Sequence, residues 1–413
     1  MHRLPLLLAT TFATTLSLPA VGFAQEQHPT TSPADTQSAA LAQNIQGEPV
    51  AVVKGGPAQG EQSERLFPVA AFYGPMPTGL ALSNDNTKTF VCFPRWQDPT
   101  NFTVARLTSE GLEPFPNAEI NQYLPEDPTA FPAAEHFVSV QSVYVGREGR
   151  LWILDTGSIN FGTPVDGGPK LWAYDVDSGE AMETFDFGEV GGEVIKEKTY
   201  LNDVRFDFSR GEGGYAFITD SGAGGIIVLD LASGESWRKL DGHPSVLPDP
   251  DVTLQSEGNP LPAKIASDGI AVAPDGQSLY YSPLTSRTIY AVPLASLVDP
   301  KADAAKDVRE VATKPSGNDG IDVDRRGNIY STDFEDNAIR RIDPRTGDVE
   351  VVVQDERVIW PDSIVVADGL IMFTSNQLPR QPQFNGGQEK REGGYYLFAL
   401  PVEGIEGTRS AGN

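Results

Sequence analysis

The stretch DGIDVDRRGNIYSTD at residues 319–333 contains the pattern that decides the fold. A polar residue and a small residue precede an alternating apolar strand, a glycine-containing turn reverses the chain, and a second apolar strand follows. The same order of residue types recurs along the chain, and a repeat of this kind determines the architecture. The first strands of the six units begin at Thr78, Gln141, Asn202, Asp268, Asp319 and Asp362.

Further strands follow in most of the units. Third strands are visible at Leu171–Asp175, Gly225–Asp230, Thr288–Val292 and Tyr395–Ala399, and turns such as DSGE at residues 177–180 lead to a fourth. Four-stranded units repeated around an axis form a β-propeller. The sequence therefore predicts an all-β fold, a six-bladed β-propeller of four-stranded antiparallel blades. A β-sandwich is the alternative, but it does not require six equivalent units.

The segment Glu64–Tyr73, just before the first unit, has the composition of a strand. In a propeller the N-terminal strand commonly completes the last blade and so closes the ring without a covalent bond. We therefore predict that this segment is the outer strand of the sixth blade.

The N-terminus has the pattern of a targeting segment. A short basic start precedes the mostly apolar Leu4–Leu18, and small residues near Ala24 suit a signal peptidase. We predict a signal peptide at 1–24, a flexible leader at 25–62, the propeller at 63–403 and a tail at 404–413. A membrane anchor is the alternative, although the apolar stretch is shorter than the ~20 residues that span a bilayer. The expected location is secreted or periplasmic, without an integral membrane segment after cleavage.

Charge and cysteine content exclude several classes of function. The chain has 57 acidic and 31 basic residues, for a net charge of -26, so it lacks the clustered cations that nucleic acid requires. Its single cysteine excludes an intrachain disulfide and a cysteine-rich zinc site. Cys92 lies in the apolar run at 90–93 and is predicted to be a buried, small apolar residue.

Rotational equivalence places the six starting residues at one height around the central channel. Three carboxylates and an amide that converge there would raise one another's pKa values unless a cation neutralises them. Oxygen ligands of this kind suit Ca²⁺ or another hard divalent cation. The alternative is that an Asp before a Gly only forms a turn, because its carboxylate accepts backbone N–H bonds.

Several motifs resemble the major royal jelly and yellow protein family over about residues 66–402. They are MPTG at 76–79, FPRW at 93–96, LWILDTG at 151–157, NDVR at 202–205, YYSPLTS at 280–286, WPD at 360–362 and TSNQL at 374–378. The resemblance implies an exported six-bladed propeller, and the absence of disulfides suggests a bacterial member. Family roles include pigment chemistry, nutrition and binding of small amines, and no catalytic residue set transfers to this chain.

That family is similar in turn to the gluconolactonase and regucalcin propellers, whose channel holds a divalent metal. By blade position, Asn202, Asp268 and Asp319 correspond to three of the metal ligands of that group. Thr78 stands where that group has Glu, and Asp268 replaces an expected Asn. The resemblance therefore implies a cation site, and the two departures favour binding over lactone hydrolysis.

We expect a small aromatic, amine or sugar-derived ligand in the channel, with a divalent cation as an expected cofactor. The residues predicted to contact the ligand are Thr78, Gln141, Arg205, Asp362 and Asn376, and those predicted to hold the metal are Asn202, Asp268 and Asp319. Two roles are open for Arg205, which either orients an anionic group or pairs with Asp203 or Asp207. The alternative function is a metal-dependent lactonase, with Asp362 or a bound water as the base.

Overall fold

The computed structural model describes residues 62–146, 148–188 and 194–408. The predicted signal peptide at 1–24, nearly all of the predicted leader at 25–62 and the end of the predicted tail at 404–413 lie outside the described residues. The described residues form six four-stranded antiparallel sheets and a separate two-stranded hairpin. The predicted six-bladed β-propeller is therefore confirmed.

Strands are numbered along the described chain from β1 (Phe67–Phe72). The first blade contains β2 (Leu80–Leu82), β3 (Thr89–Cys92), β4 (Val104–Thr108) and β5 (Gly111–Pro114). The second contains β6 (Val140–Val145), β7 (Arg150–Thr156), β8 (Pro169–Asp175) and β9 (Ala181–Asp186). The third contains β10 (Leu201–Asp207), β11 (Tyr215–Asp220), β12 (Ile226–Asp230) and β13 (Ser236–Lys239).

The separate hairpin, β14 (Leu254–Ser256) and β15 (Asn259–Leu261), follows the third blade. The fourth blade contains β16 (Ser267–Val272), β17 (Ser278–Pro283), β18 (Thr288–Pro293) and β19 (Arg309–Thr313). The fifth contains β20 (Ile321–Val323), β21 (Ile329–Asp333), β22 (Ala338–Ile342) and β23 (Val349–Gln354). The sixth contains β24 (Trp360–Ala367), β25 (Leu370–Asn376) and β26 (Tyr395–Pro401) together with β1.

The helices of the described chain are short. They are the α-helix α1 (Leu294–Val298) and 3₁₀ turns at Pro244–Val246, Ala304–Asp307, Leu378–Arg380 and Pro382–Phe384. No helix within the described ranges has the length and apolar character needed to cross a membrane.

The first strand of each blade lies innermost. Each of β2, β6, β10, β16, β20 and β24 contacts the first strands of both neighbouring blades, so the six form a closed ring around the channel. Thr219 donates a hydrogen bond to the Asp268 carbonyl (2.7 Å), and Thr374 donates one to the Thr78 carbonyl (2.7 Å). These bonds tie the second strand of one blade to the start of the next.

The N-terminal strand closes the ring as predicted. β1 pairs antiparallel with β26, from Phe67 opposite Ala399 to Phe72 opposite Tyr395. The sheet order is β1-β26-β25-β24, which places β1 at the outer edge of the sixth blade. The first and last parts of the described chain are therefore held together by a ladder of backbone hydrogen bonds.

Apolar side chains fill the wedges between blades. Among the described residues, six main clusters of buried residues join neighbouring blades. The cluster at the sixth and first blades also contains Leu254 and Leu261 of the hairpin, with Leu284 and Phe334. Trp152 packs on Phe206 between the second and third blades, with ring centroids 4.7 Å apart. Cys92 is buried as predicted, and its thiol also donates to the Gln141 carbonyl (3.1 Å).

Candidate functional site

The inner strands present their first polar residues at irregularities in the sheet. The antiparallel register shifts between Val140 and Ser142, and again between Leu201 and Val204. Equivalent shifts occur between Ser267 and Ile270 in β16 and between Pro361 and Ile364 in β24. A bulged residue leaves the ladder, and its side chain is redirected. The residues inside these four shifts include Gln141, Asn202, Asp268 and Asp362, which is how they come to face the channel.

The six residues at the starts of the inner strands are here called the ring residues, and a glycine follows Asp268 and Asp319 where the backbone of the next blade packs closely. A Cβ atom on Gly269 would lie 2.4 Å from the Asp319 carbonyl oxygen, and one on Gly320 would lie 2.6 Å from that of Asp362. Such approaches are sterically forbidden, so these two positions require Gly. The small residue in the sequence repeat is thus explained by blade-to-blade contact near the channel.

Asp268, Asp319 and Asp362, here called the acidic cluster, are buried together beside the channel. Burial, with the charges of Asp319 and Asp362, raises the pKa of Asp268 well above its ordinary value. Burial raises the pKa of Asp319 to about 6, and burial with the charge of Asp319 raises the pKa of Asp362. Among the described residues, none of the three forms an ion pair with a Lys, Arg or His side chain.

Neutral groups hold each member of the acidic cluster in place. Asn202 Nδ2 donates to Asp268 Oδ2 at 2.6 Å, and Trp360 Nε1 donates to Asp319 Oδ2 at 2.8 Å. A third donor, Asn376 Nδ2, lies 2.9 Å from Asp362 Oδ2. These bonds orient the carboxyl groups without neutralising them, so the cluster favours either bound protons or an added cation.

The amide of Gln141 is oriented by two aromatic side chains. Trp96 Nε1 donates to the Tyr200 hydroxyl, and that hydroxyl donates to Gln141 Oε1, both at 2.9 Å. The amide oxygen is therefore engaged, which leaves the Gln141 amide nitrogen as the donor available on the channel side.

A cavity of about 330 Å³, here called the channel cavity, opens above this ring. Its polar lining includes the acidic cluster with Gln141 and Asn202, and it is completed by Lys198, Thr199, Ser221, Lys264 and Gln383. Its apolar part is formed by Trp96, Phe161, Tyr200, Ile265, Leu284, Leu378 and Phe384. A much smaller cavity of about 10 Å³ is lined by the acidic cluster together with Asp203, and such a volume holds about one water molecule. The arrangement places three carboxyl groups that lack an ion-pair partner among the described residues beside an aromatic wall.

Phe161 is an unusual member of this wall. Its ring stacks on Trp96 with centroids 4.8 Å apart, yet the residue is 49% exposed. Its backbone has φ = +58°, a left-handed conformation that bulky residues rarely adopt. Strained backbone of this kind is concentrated at functional sites.

The structure brings five of the six predicted ring residues together and separates Thr78 from them. Gln141, Asn202, Asp268, Asp319 and Asp362 line the channel cavity. The Thr78 hydroxyl instead donates to the Gln141 carbonyl (3.0 Å), between the first two blades.

Arg205 and Asn376 also lie outside the lining of the channel cavity. Arg205 Nη1 pairs with Asp203 Oδ1 at 2.7 Å, and its guanidinium lies over the Tyr144 ring, so the pairing role is the one observed. Asn376 bonds to Asp362 and to the Pro77 carbonyl (3.1 Å), which makes it a support for a ring residue.

The sequence did not predict most of the residues that form the apolar wall of the channel cavity. Phe161, Phe384 and the rim residue Lys198 lie in loops that have no counterpart in the repeat. Tyr200 and Trp360 share a detectable signal, because each stands two residues before a ring residue. Each also donates a hydrogen bond to the ring residue of the preceding blade. Tyr200 donates to Gln141, and Trp360 donates to Asp319.

The donor chemistry of the ring fits a hard cation, since Asn202, Asp268 and Asp319 offer only oxygen ligands. Within the ranges that the structure describes, however, no group of three or more His, Cys, Asp or Glu side chains stands in a metal-ligating arrangement. A cation would therefore have to draw the predicted ligands together.

The raised pKa of Asp319 predicts that the ligand-free protein loses stability as the pH rises. Because the folded state binds this proton more tightly than the unfolded state, the stabilising contribution is complete below about pH 4 and is lost as the pH passes about 6. Asp319→Asn should remove this contribution. Urea unfolding of both proteins at pH 4.5 and 7.5 measures it, and the variant should gain stability relative to wild type at the higher pH.

Asp333 provides the internal control for that comparison. Burial raises its pKa to about 6 as well, beside Lys314 and Arg340, but it is present in both proteins and cancels. Identical pH dependence in wild type and variant would contradict the assignment to Asp319.

Comparison with known proteins gives one family. A family model described as major royal jelly protein matches residues 138–391, more than half of the chain. Protein yellow of Drosophila melanogaster is 26% identical over 278 residues, covering 62% of this chain and 46% of that protein. Major royal jelly protein 7 of Apis mellifera is 27% identical over 227 residues, covering 50% and 49% respectively. The chain thus spans about half the length of the curated relatives it matches.

Solved structures show a similar fold at low sequence identity. A gluconolactonase from Xanthomonas campestris superposes with a TM-score of 0.51 at 15% identity, covering 86% of this chain and 99% of that chain. Regucalcin, a calcium-binding protein from Agrobacterium tumefaciens, gives a TM-score of 0.49 at 13% identity, covering 81% and 92%. The gluconolactonase likeness supports the propeller fold.

Proposed function

The chain belongs to the major royal jelly protein family, and from this premise we propose that it is an exported protein that binds a small organic cation in its channel. The ligand class is an amine with an aromatic body. The observation that carries the proposal is the acidic cluster, whose three buried carboxyl groups have no cationic partner among the described residues. Export rests on the predicted signal peptide and on the family.

The acidic cluster selects a positive charge. Burial makes ionisation of these carboxyl groups costly, and a bound ammonium group offsets that cost through charge-assisted hydrogen bonds. Asn202 supports the same selection, because its Nδ2 is engaged by Asp268 and its Oδ1 remains to accept from an ammonium group. A neutral ligand of the same shape would not form these charge-assisted hydrogen bonds.

The apolar wall selects an aromatic body. Trp96, Phe161 and Tyr200 form a connected group, with the Phe161 and Tyr200 centroids 5.1 Å apart. Aromatic faces favour both stacking and contact with cations. A volume of about 330 Å³ lies at the lower end of the range for small-molecule pockets, which suits a single-ring or fused-ring amine.

A thermal-shift panel tests this ligand class. Arylalkylamines such as 2-phenylethylamine and tryptamine should raise the melting temperature of metal-free protein at pH 7.5, because a ligand that binds only the folded state stabilises it. The matched neutral alcohols, 2-phenylethanol and tryptophol, serve as controls and should have little effect. Equal shifts from amines and alcohols would refute charge selection.

A second candidate function is lactone hydrolysis supported by a divalent cation. The oxygen-only donor set of Asn202, Asp268 and Asp319 favours it, and a gluconolactonase shares the fold. A cation held by these residues would polarise a lactone carbonyl. Asp362, close to the same site, would serve as the proton acceptor for an attacking water.

Metal analysis separates the two candidates. Mass spectrometry of purified wild type and of the Asp268→Ala, Asp319→Ala variant measures bound calcium, and aldonolactone hydrolysis is then assayed with and without added Ca²⁺. One equivalent of calcium in wild type alone, with calcium-dependent hydrolysis, would favour the lactonase. No bound metal and no hydrolysis would leave amine binding.

A further inference from the structure

A second cavity, of about 350 Å³, lies between the β14–β15 hairpin and the segment 379–392 of the sixth blade. We call it the hairpin cavity. The hairpin joins the third and fourth blades but reaches past the fifth, where the Gln255 backbone N–H donates to Glu335 (2.7 Å). At its far end Arg380 Nε donates to Glu257 Oε2 at 2.8 Å. The cavity is therefore bordered by two insertions that the repeat does not require, and it is open to solvent.

The charged groups around the hairpin cavity are largely compensated. Arg380 pairs with Glu257, and Glu389 accepts a hydrogen bond from Arg391 Nε at 2.9 Å. The two other charged lining residues, Lys390 and Glu392, have opposite signs. With Arg391 included, the three acidic and three basic side chains around the cavity carry no net charge, which favours a neutral ligand.

A buried hydroxyl group borders the hairpin cavity without a partner. Ser256 is 4% exposed, and its Oγ has no hydrogen-bond partner among the described residues. Leaving a buried polar group unpaired costs free energy. Its Oγ has almost no accessible surface, so a ligand hydroxyl in the cavity would bond to it once the Ser256 side chain rotates toward the cavity.

The remaining lining combines amides with apolar faces. Asn259 and Asn385 provide amide groups, while Phe384, Pro260 and Pro379 provide flat apolar surface. Hydroxyl-rich rings bind in such surroundings, because their C–H faces pack on aromatic or proline rings and their hydroxyl groups bond to amides. Phe384 also lines the channel cavity, so the two cavities share a wall.

We propose that the hairpin cavity is a binding site for a neutral carbohydrate of one or two sugar rings. A volume of about 350 Å³ accommodates such a ligand. The unpaired Ser256 hydroxyl, the compensated charges and the apolar ring surfaces together select against charged and against wholly apolar molecules. This site is separate from the acidic cluster, and the proposal does not depend on amine binding.

Titration calorimetry of the purified wild-type protein tests the site. The probes are glucose, galactose, mannose, sucrose, maltose and trehalose, with glucosamine and glucuronate as charged counterparts. At least one neutral sugar should bind with one site per chain. Ser256→Ala should weaken that binding about 3- to 10-fold, as expected for a lost hydrogen bond of about 1 kcal/mol. Asn259→Ala, at an exposed position, should also weaken binding and guards against a folding defect in the first variant.

The channel variant Asp268→Asn, Asp319→Asn is the matched control and should bind the sugar as wild type does. Loss of sugar binding in that variant, but not in Ser256→Ala and Asn259→Ala, would assign the sugar to the channel and overturn the proposal. So would an absence of binding by every neutral sugar, or tighter binding of a charged counterpart than of its neutral parent.

Discussion

Replacing both Asp268 and Asp319 by Asn should lower the affinity of the channel for an arylalkylamine at least about 100-fold at pH 7.5. The substitution keeps the shape of both side chains and removes the negative charges that an ammonium group would neutralise. Hydrogen bonds to charged groups contribute about 1.5–3 kcal/mol each, and two of them correspond to a factor of 100 or more in the dissociation constant. Calorimetry with 2-phenylethylamine measures the change.

Stability distinguishes this loss of affinity from a folding defect. Burial raises the pKa values of both carboxyl groups, so their removal should leave the ligand-free protein at least as stable as wild type at pH 7.5. Asp275→Asn, at an exposed turn, is the matched charge control and should retain full affinity. Undiminished amine binding by the double variant would show that the acidic cluster is not the site.

Removing β1 should destabilise the propeller by about 5 kcal/mol or more. A chain that starts at residue 75 lacks the outer strand of the sixth blade, and β26 is left as an unpaired edge that invites aggregation. It also lacks the buried Ala70 and Phe72, which belong to the cluster between the sixth and first blades. Since a domain is stable by only about 5–15 kcal/mol, most of this chain should be unfolded or aggregated at 37 °C.

A point variant measures the same closure without shortening the chain. Phe72 is 3% exposed and its neighbour Tyr73 is 71% exposed. Phe72→Ala should cost about 3–5 kcal/mol in urea unfolding, while Tyr73→Ala should be almost neutral. A truncated chain with the full melting temperature of the chain that starts at residue 62 would contradict closure by β1.

The fold could be predicted from the sequence because each blade repeats the same physical problem. An inner strand buried on both faces, a tight turn and a second apolar strand recur with the same residue types, as in Asp268–Val272 and Asp319–Val323. Rotational equivalence then places the starting residues at one height. The repeat alone therefore predicts that Asp268, Asp319 and Asp362 lie close together.

The directions of individual side chains do not follow from the repeat. Thr78 occupies the equivalent position, but its short hydroxyl reaches the Gln141 carbonyl and is satisfied there. Arg205 is held by Asp203, which follows a ring residue in the same bulge. Rotamers of this kind depend on local hydrogen bonds that a repeat pattern does not encode.

The residues that form the walls of both cavities could not be predicted from the repeat. Phe161, Phe384 and the β14–β15 hairpin belong to insertions between strands, where neither period nor spacing constrains the chain. The left-handed backbone conformation of Phe161 is imposed by its surroundings. Glycine is the usual sequence signal for such a conformation, and this position is not a glycine. The parts that give the channel its ligand preference are therefore those that the sequence indicated least.

The most direct test of amine binding in the channel is calorimetric titration of metal-free wild-type protein with 2-phenylethylamine and, in parallel, with 2-phenylethanol at pH 7.5. We expect one site per chain for the amine, with an affinity at least about 100-fold higher than for the alcohol. Equal affinity for the two ligands, or no binding of the amine, would contradict a channel in which the acidic cluster binds the ligand.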